Sequence, residues 1–379
     1  FGSASQVGAF TVNAKGLLTA ASAIAIAIAS TAVTDFQEAV EDVVGGSLIP
    51  GAEAAGDLDW TYTDGSGTLT AAVKSTAITA AKLAGSALEY GAVLVNGTFA
   101  ASVASSALTI SIKTLAGSDP SASDPVYIVF RNATAATGDY AVITLTAATS
   151  FVVSSGSTLG TANSVAFRVW IVGFNDGGTF RLGVVNCVVG GASPTQIFAL
   201  DEYNVKSSTA EGGAGAADSA GVLYTGTAVT SKAFRILGFA EYSSGLATAG
   251  TWASTPTKLQ LFGPGIKKPG DIVQTVRTAT GAAATGTTVV PIDDTIPQNT
   301  EGDQYMSQAI TPTSAANVLA IGSQASLSHS IVGAHMIMAL FQDSTANALV
   351  VSDTVIVASF YVNINTIGHQ LLAGTTSET

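Results

Sequence analysis

Apolar side chains recur at every second position through much of this chain, the spacing that lays one face of an extended strand on a core. Ala23-Ile24-Ala25-Ile26-Ala27-Ile28-Ala29 is the plainest run, with every Ile on one face and every Ala on the other. A hairpin is predicted where Leu58-Asp59-Trp60-Thr61-Tyr62-Thr63 and Thr68-Leu69-Thr70-Ala71-Ala72-Val73 flank the turn Asp64-Gly65-Ser66-Gly67. From about Gly91 to Gly263 the pattern stays all-β, with strands predicted at residues 108–113, 126–130, 141–145, 151–153, 233–242 and 258–262. A second hairpin joins residues 165–174 to 179–185 through Asn175-Asp176-Gly177-Gly178. Residues 207–220, rich in Gly, Ala and Ser, have no period and are expected to form a surface loop or tip.

One stretch changes period. In Thr34-Asp35-Phe36-Gln37-Glu38-Ala39-Val40-Glu41-Asp42-Val43-Val44, the residues Phe36, Val40, Val43 and Val44 form a stripe at helical spacing. Thr34 with Gln37 fits a capping box, Asp35 and Glu38 suit the positive end of the helix dipole, and Gly45-Gly46 supplies the stop. Pro and Gly twice interrupt any ladder in Gly263-Pro264-Gly265 and Lys267-Lys268-Pro269-Gly270, the best boundary in the chain. Beyond it, strands are predicted at residues 272–276, 317–321, 335–341 and 354–362. The expectation is therefore a mainly β chain: a short strand–helix–hairpin connector (residues 1–88), then two β-sandwich modules of jelly-roll type (89–265 and 266–379), the last a candidate distal module.

Composition adds assembly to this picture. Only 11% of the 379 residues are charged and 47% are hydrophobic, against about 25% charged in an ordinary soluble domain. Apolar surface that a monomer would expose can be buried between copies, so an oligomer is expected. The formal net charge of -12, with no basic cluster longer than Lys267-Lys268, argues against nucleic-acid binding. Residues 16–34 carry no charge, but their period of two and the interspersed Ser22, Ser30 and Thr31 read as a covered strand and not as a membrane insertion. Cys187 is the single cysteine and lies in an apolar run, so it is expected to be a buried small hydrophobe. The chain opens on Phe1, with no signal-peptide pattern, and ends on an open polar sequence, and is read as a portion of a longer or processed polypeptide.

The ordered motifs of the first 85 residues carry a resemblance. Phe10-Thr11-Val12-Asn13-Ala14-Lys15-Gly16-Leu17-Leu18-Thr19-Ala20-Ala21, then Val33-Thr34-Asp35-Phe36-Gln37-Glu38-Ala39-Val40-Glu41-Asp42, then Trp60-Thr61-Tyr62-Thr63-Asp64-Gly65-Ser66-Gly67-Thr68-Leu69-Thr70 resemble a connecting unit of bacteriophage tail fibre proteins. Residues 296–377 also look like a β-module of phage tail proteins. The resemblance implies a virion protein, a homotrimeric fibre that adsorbs to a host surface glycan or protein and joins other tail or baseplate proteins. It transfers no binding residue.

Candidate chemistry is sparse. His329, His335 and His369 have no partner at metal-ligand spacing, and no nucleophile elbow or phosphate loop is present, so no metal, cofactor or enzymatic activity is expected. Asp201-Glu202 and Asp293-Asp294 are the carboxylate doublets that a virion-mounted polysaccharide depolymerase would need. Adjacent strand residues face opposite ways, so neither doublet makes a dyad by itself. A neck or head fibre, or an adhesin module, is the other alternative. The sequons at Asn96 and Asn132 are expected by chance in a Thr-rich chain. If the last module is distal, Gln304, Tyr305, His329, Gln342 and Asp343 are the candidate receptor contacts, because aromatic faces stack on sugars and amides satisfy hydroxyls.

Overall fold

The computed structural model describes residues 2–27, 43, 58–63, 66, 68–73, 93–132 and 139–379. The chain is mainly β, with its strands spread over many small sheets. Contacts divide it into two compact units, Phe1–Leu83 and Ala84–Thr379.

The first unit contains two hairpins. In one, β1 (Gln6–Val12) pairs antiparallel with β2 (Leu18–Ala25), and Val7 faces Ile24 across the ladder. Asn13 closes the turn: its side-chain oxygen accepts the N–H groups of Lys15 and Leu17, both at 3.0 Å, while Gly16 supplies a φ of 77°. In the other, β3 (Leu58–Thr63) pairs with β4 (Thr68–Val73), the strands expected from the sequence. The predicted helix, residues 34–44, lies outside the described residues apart from Val43, which is helical. No described residue of this unit is buried.

The second unit holds the core. The strands β5 (Leu94–Val95), β6 (Gly97–Ala104), β7 (Ala107–Thr114), β8 (Val126–Arg131), β9 (Tyr140–Leu145) and β10 (Thr149–Val153) make two three-stranded sheets, ordered β5-β8-β9 and β10-β7-β6. Then come β11 (Phe167–Asp176), β12 (Thr179–Asn186), the short pair β13 (Val188–Val189) and β14 (Gln196–Ile197), β15 (Thr209–Ala210), β16 (Tyr224–Thr225), β17 (Ala233–Tyr242) and β18 (Lys258–Leu261). Six of these form the largest sheet, ordered β15-β16-β12-β11-β17-β18.

That sheet is covered on both faces, which explains the near-continuous apolar run of β11. Phe167, Val169 and Ile171 join one core with Leu108, Ile110 and Ile112 of β7 and Val126, Ile128 and Phe130 of β8. Trp170, Val172 and Phe174 join another, closed by Leu200, Leu223, Val229, Phe198 and Ile266 from connecting segments. A bulge in β17 keeps both cores filled. Ile171 pairs with Gly238 and Val172 with Ile236, so Leu237 is the extra residue. Leu237 then packs in the first core, while Ile236 and Phe239, three apart, both reach the second. Gly238 leaves room for a neighbour: a Cβ there would lie 2.6 Å from the Phe99 ring.

Residues 207–220 form the expected surface loop, but a tethered one. Thr209–Ala210 is strand β15, and Glu211 accepts the backbone N–H and hydroxyl of Ser154, both at 2.9 Å. Asp218 is buried and accepts the Ser157 hydroxyl at 2.8 Å. Two acids docked on a distant strand end hold a Gly-rich segment that has no period of its own.

The boundary segment also docks. Lys268 pairs with Glu202 at 2.9 Å, and Ser314 donates to Glu241 at 3.0 Å. After it, β19 (Val318–Ser328) pairs with β22 (Val362–Leu372) across eleven residue pairs, enclosing the hairpin of β20 (His335–Leu340) and β21 (Val350–Val355). Two sequence expectations fail here. Residues 272–276 form no strand, because no described segment offers them a ladder. The strand expected at 354–362 breaks after Val355: buried Ile356 exchanges backbone hydrogen bonds with Gly333 and Ala334, Phe360 turns at φ 56°, and β22 begins at Val362.

Candidate functional site

The sequence-predicted contacts fall in three separate places. Gln304 and Tyr305 lie on an exposed stretch facing Gly286, which has no room for a Cβ beside the Tyr305 hydroxyl and the Asp303 carboxylate. His329 follows the end of β19, where its Nδ1 accepts the Ile331 N–H at 3.0 Å and its carbonyl accepts the Phe360 N–H at 3.0 Å. Gln342 and Asp343 sit in the β20–β21 connection, with Asp343 at φ 51° and the Gln342 carbonyl accepting from Thr345. Among the described residues no hydrogen bond or ion pair joins one of these groups to another.

His329 instead belongs to a tip that the sequence did not reveal. The β19–β20 connection (residues 329–334) and the β21–β22 connection (356–361) are held together by the bonds of Ile356 to Gly333 and Ala334 and of Phe360 to His329. Around them stand Ile331, Val332, Val357, Phe360 and Tyr361, all exposed, with Phe360 at 75%. Neither connection contains Asp, Glu, Lys or Arg. A bulky residue held at positive φ with its ring in solvent costs on the order of 1–3 kcal/mol, and such strain gathers at functional loops. No period or motif could have pointed there, since residues 354–362 read as one continuous strand.

Three of the four carboxylates in the two doublets are engaged in local structure. Asp201 accepts the Tyr203 N–H at 2.8 Å and the Asn204 amide at 2.7 Å, and these bonds hold its carboxyl below the usual carboxylate range. Glu202 turns away, taking the Ile236 N–H at 2.6 Å and Lys268 at 2.9 Å. Asp293 caps Thr295 through its hydroxyl at 2.6 Å and its N–H at 2.8 Å, which lowers its carboxyl likewise. A general acid needs a raised value near neutrality. Asp201 and Asp293 are held in the opposite direction.

His335 bonds Asp353 at 2.7 Å across the β20–β21 ladder, a surface pair diagonal to the register. Cys187 is buried, and desolvation pushes its thiol well above the usual range, so the thiolate that would make it a nucleophile or ligand is disfavoured. Among the described residues no group of three His, Cys, Asp or Glu is placed to hold a metal ion, and no helix is long and apolar enough to cross a membrane. The cleft lined by Phe167, Asn186 and Leu372 has a volume of about 10 Å³, room for one water molecule. No family model matches the chain, and searches of curated proteins and of solved structures return no match.

Proposed function

We propose that this chain is a structural module of a trimeric bacteriophage tail fibre, carried on the virion and serving host-surface adsorption. What supports the reading most is the state of the segment that resembles a fibre connector. Its β1–β2 hairpin shows apolar side chains on both faces, with Val7 and Ile24 on one and Phe10, Val12 and Leu18 on the other, all more than half exposed. A lone two-stranded hairpin is marginal in water. One that buries neither face among the described residues offers apolar surface for other copies to cover.

In this reading the two three-stranded sheets packed on the six-stranded sheet form a β-sandwich of jelly-roll type. The region of residues 266–379 is a second such module, and its apolar tip around Phe360 and Tyr361 touches the host glycan or protein. Other tail or baseplate proteins hold the assembly. Light scattering of the purified protein tests the assembly: the expected mass is three times the 37.8 kDa of the chain. A monomer at micromolar concentration would overturn it.

A further inference from the structure

Residues 271–292 run as an extended chain with no turn, bend or strand pairing. No residue among them has positive φ. A fully extended chain of this length reaches roughly 70 Å, at about 3.3 Å per residue. All of it is exposed or nearly so: Ile272 is 77% exposed, Val289 74% and Ile292 73%. Among the described residues, no hydrogen bond between two backbone groups is made by any residue from 272 to 296. Its later part packs on residues 302–305: the Thr288 N–H and hydroxyl donate to Asp303 at 3.0 and 2.8 Å, the Thr287 backbone bonds the same carboxylate, and Gly286 lies against Tyr305.

This is not the composition of a solvated linker. Ile272-Val273-Gln274-Thr275-Val276-Arg277-Thr278-Ala279-Thr280 is rich in β-branched residues and has a single charge. Sequences too polar to bury surface stay disordered, and this one is the reverse. Holding one residue in an extended well costs about 1–2 kcal/mol of backbone entropy. An extended arm therefore needs contacts to offset that cost, and among the described residues its own chain gives residues 272–285 almost none.

From these observations we infer that residues 272–285 are an exchanged strand, which pairs with a sheet edge of a second copy of this chain. The inference rests on the assembly proposed above and assigns a segment to its interface. The partner is a second copy because the chain carries both halves of the missing ladder. Its β19–β22 and β20–β21 sheets have only two strands each. Val351, Val355 and Ile364 stand exposed on those strands. A donor without an acceptor and acceptors without a donor, both among the described residues of one polypeptide, are the ingredients of strand exchange around a symmetry axis.

The test uses the full purified chain, in which only other copies are available as partners. Amide hydrogen exchange is followed by mass spectrometry on peptides covering 272–285, beside light scattering of the same sample. A photo-crosslinker, p-benzoylphenylalanine, is placed at Val276 in a parallel preparation. Expected are protection on the order of 100-fold or more over the unstructured rate and a crosslinked species of twice the chain mass on a denaturing gel. The variant Val273→Asp/Val276→Asp should lose that protection while peptides of β11 and β17 keep theirs. An oligomer whose 272–285 amides exchange at the unstructured rate, or whose crosslinks stay within one chain, overturns the exchanged strand and leaves the fibre assembly standing. A monomer by scattering overturns both.

Discussion

Gly173 sits in the middle of β11 because the Phe180 ring fills the place of a side chain, with Leu237 Cδ1 3.2 Å from where a Cβ would be. The position is buried and close-packed, so an added methyl has to displace the ring. Gly173→Ala is expected to lower stability by about 1–3 kcal/mol, read from the denaturant midpoint. Phe180→Leu in the same chain should recover part of that loss, and strictly additive effects would sink the account. Residue-scale reading from the sequence worked where the neighbours in sequence are also the neighbours in space. Cys187 is buried, as its flanking Val184, Val185 and Val188 suggest. It failed for Glu202, whose partners Ile236 and Lys268 lie 34 and 66 positions away.

At the scale of elements, alternation located most long strands of the second unit, and hairpin turns placed β11 with β12 and β3 with β4. It missed β6 and β22, where small or polar residues such as Ser102, Asn365 and His369 take strand positions. Asn365 is buried there because it bonds Thr354 at 2.8 Å, a partner that no sequence period announces. Glu202 shows how a side chain can finish an element. The last rung between β17 and β18 joins Gly238 to Leu261, and the Ile236 N–H beyond it bonds to the Glu202 carboxylate. Glu202→Ala leaves that N–H and the Lys268 ammonium without their acceptor, an expected loss of about 1.5–3 kcal/mol. The check is a denaturant titration combined with faster amide exchange at Ile236. An unchanged midpoint would show that the contact contributes nothing net.

For the whole molecule, composition is what raises the expectation of assembly, since 11% charge leaves few charged residues for the surface. The tip around Phe360 was illegible because it is assembled from two connections brought together only by the fold. If copies associate through faces such as the one bearing Phe10 and Val12, the contact is apolar. Raising NaCl from 0.05 to about 1 M, which shortens the screening length to roughly 3 Å, should then leave the scattering mass unchanged. Dissociation at high salt would point to ion pairs as the glue. The pairing of β19 with β22 has a consequence for synthesis. Its partners are far apart along the chain, Ser328 with Val362 at one end and Val318 with Leu372 at the other. Closing the shorter loop costs less entropy, so the ladder zips from the Phe360 tip toward Leu372. None of it can form until Val362 has left the ribosome. Until then the whole length of β19 waits as an unpaired edge, which leaves the nascent chain vulnerable to misassociation until β22 is made.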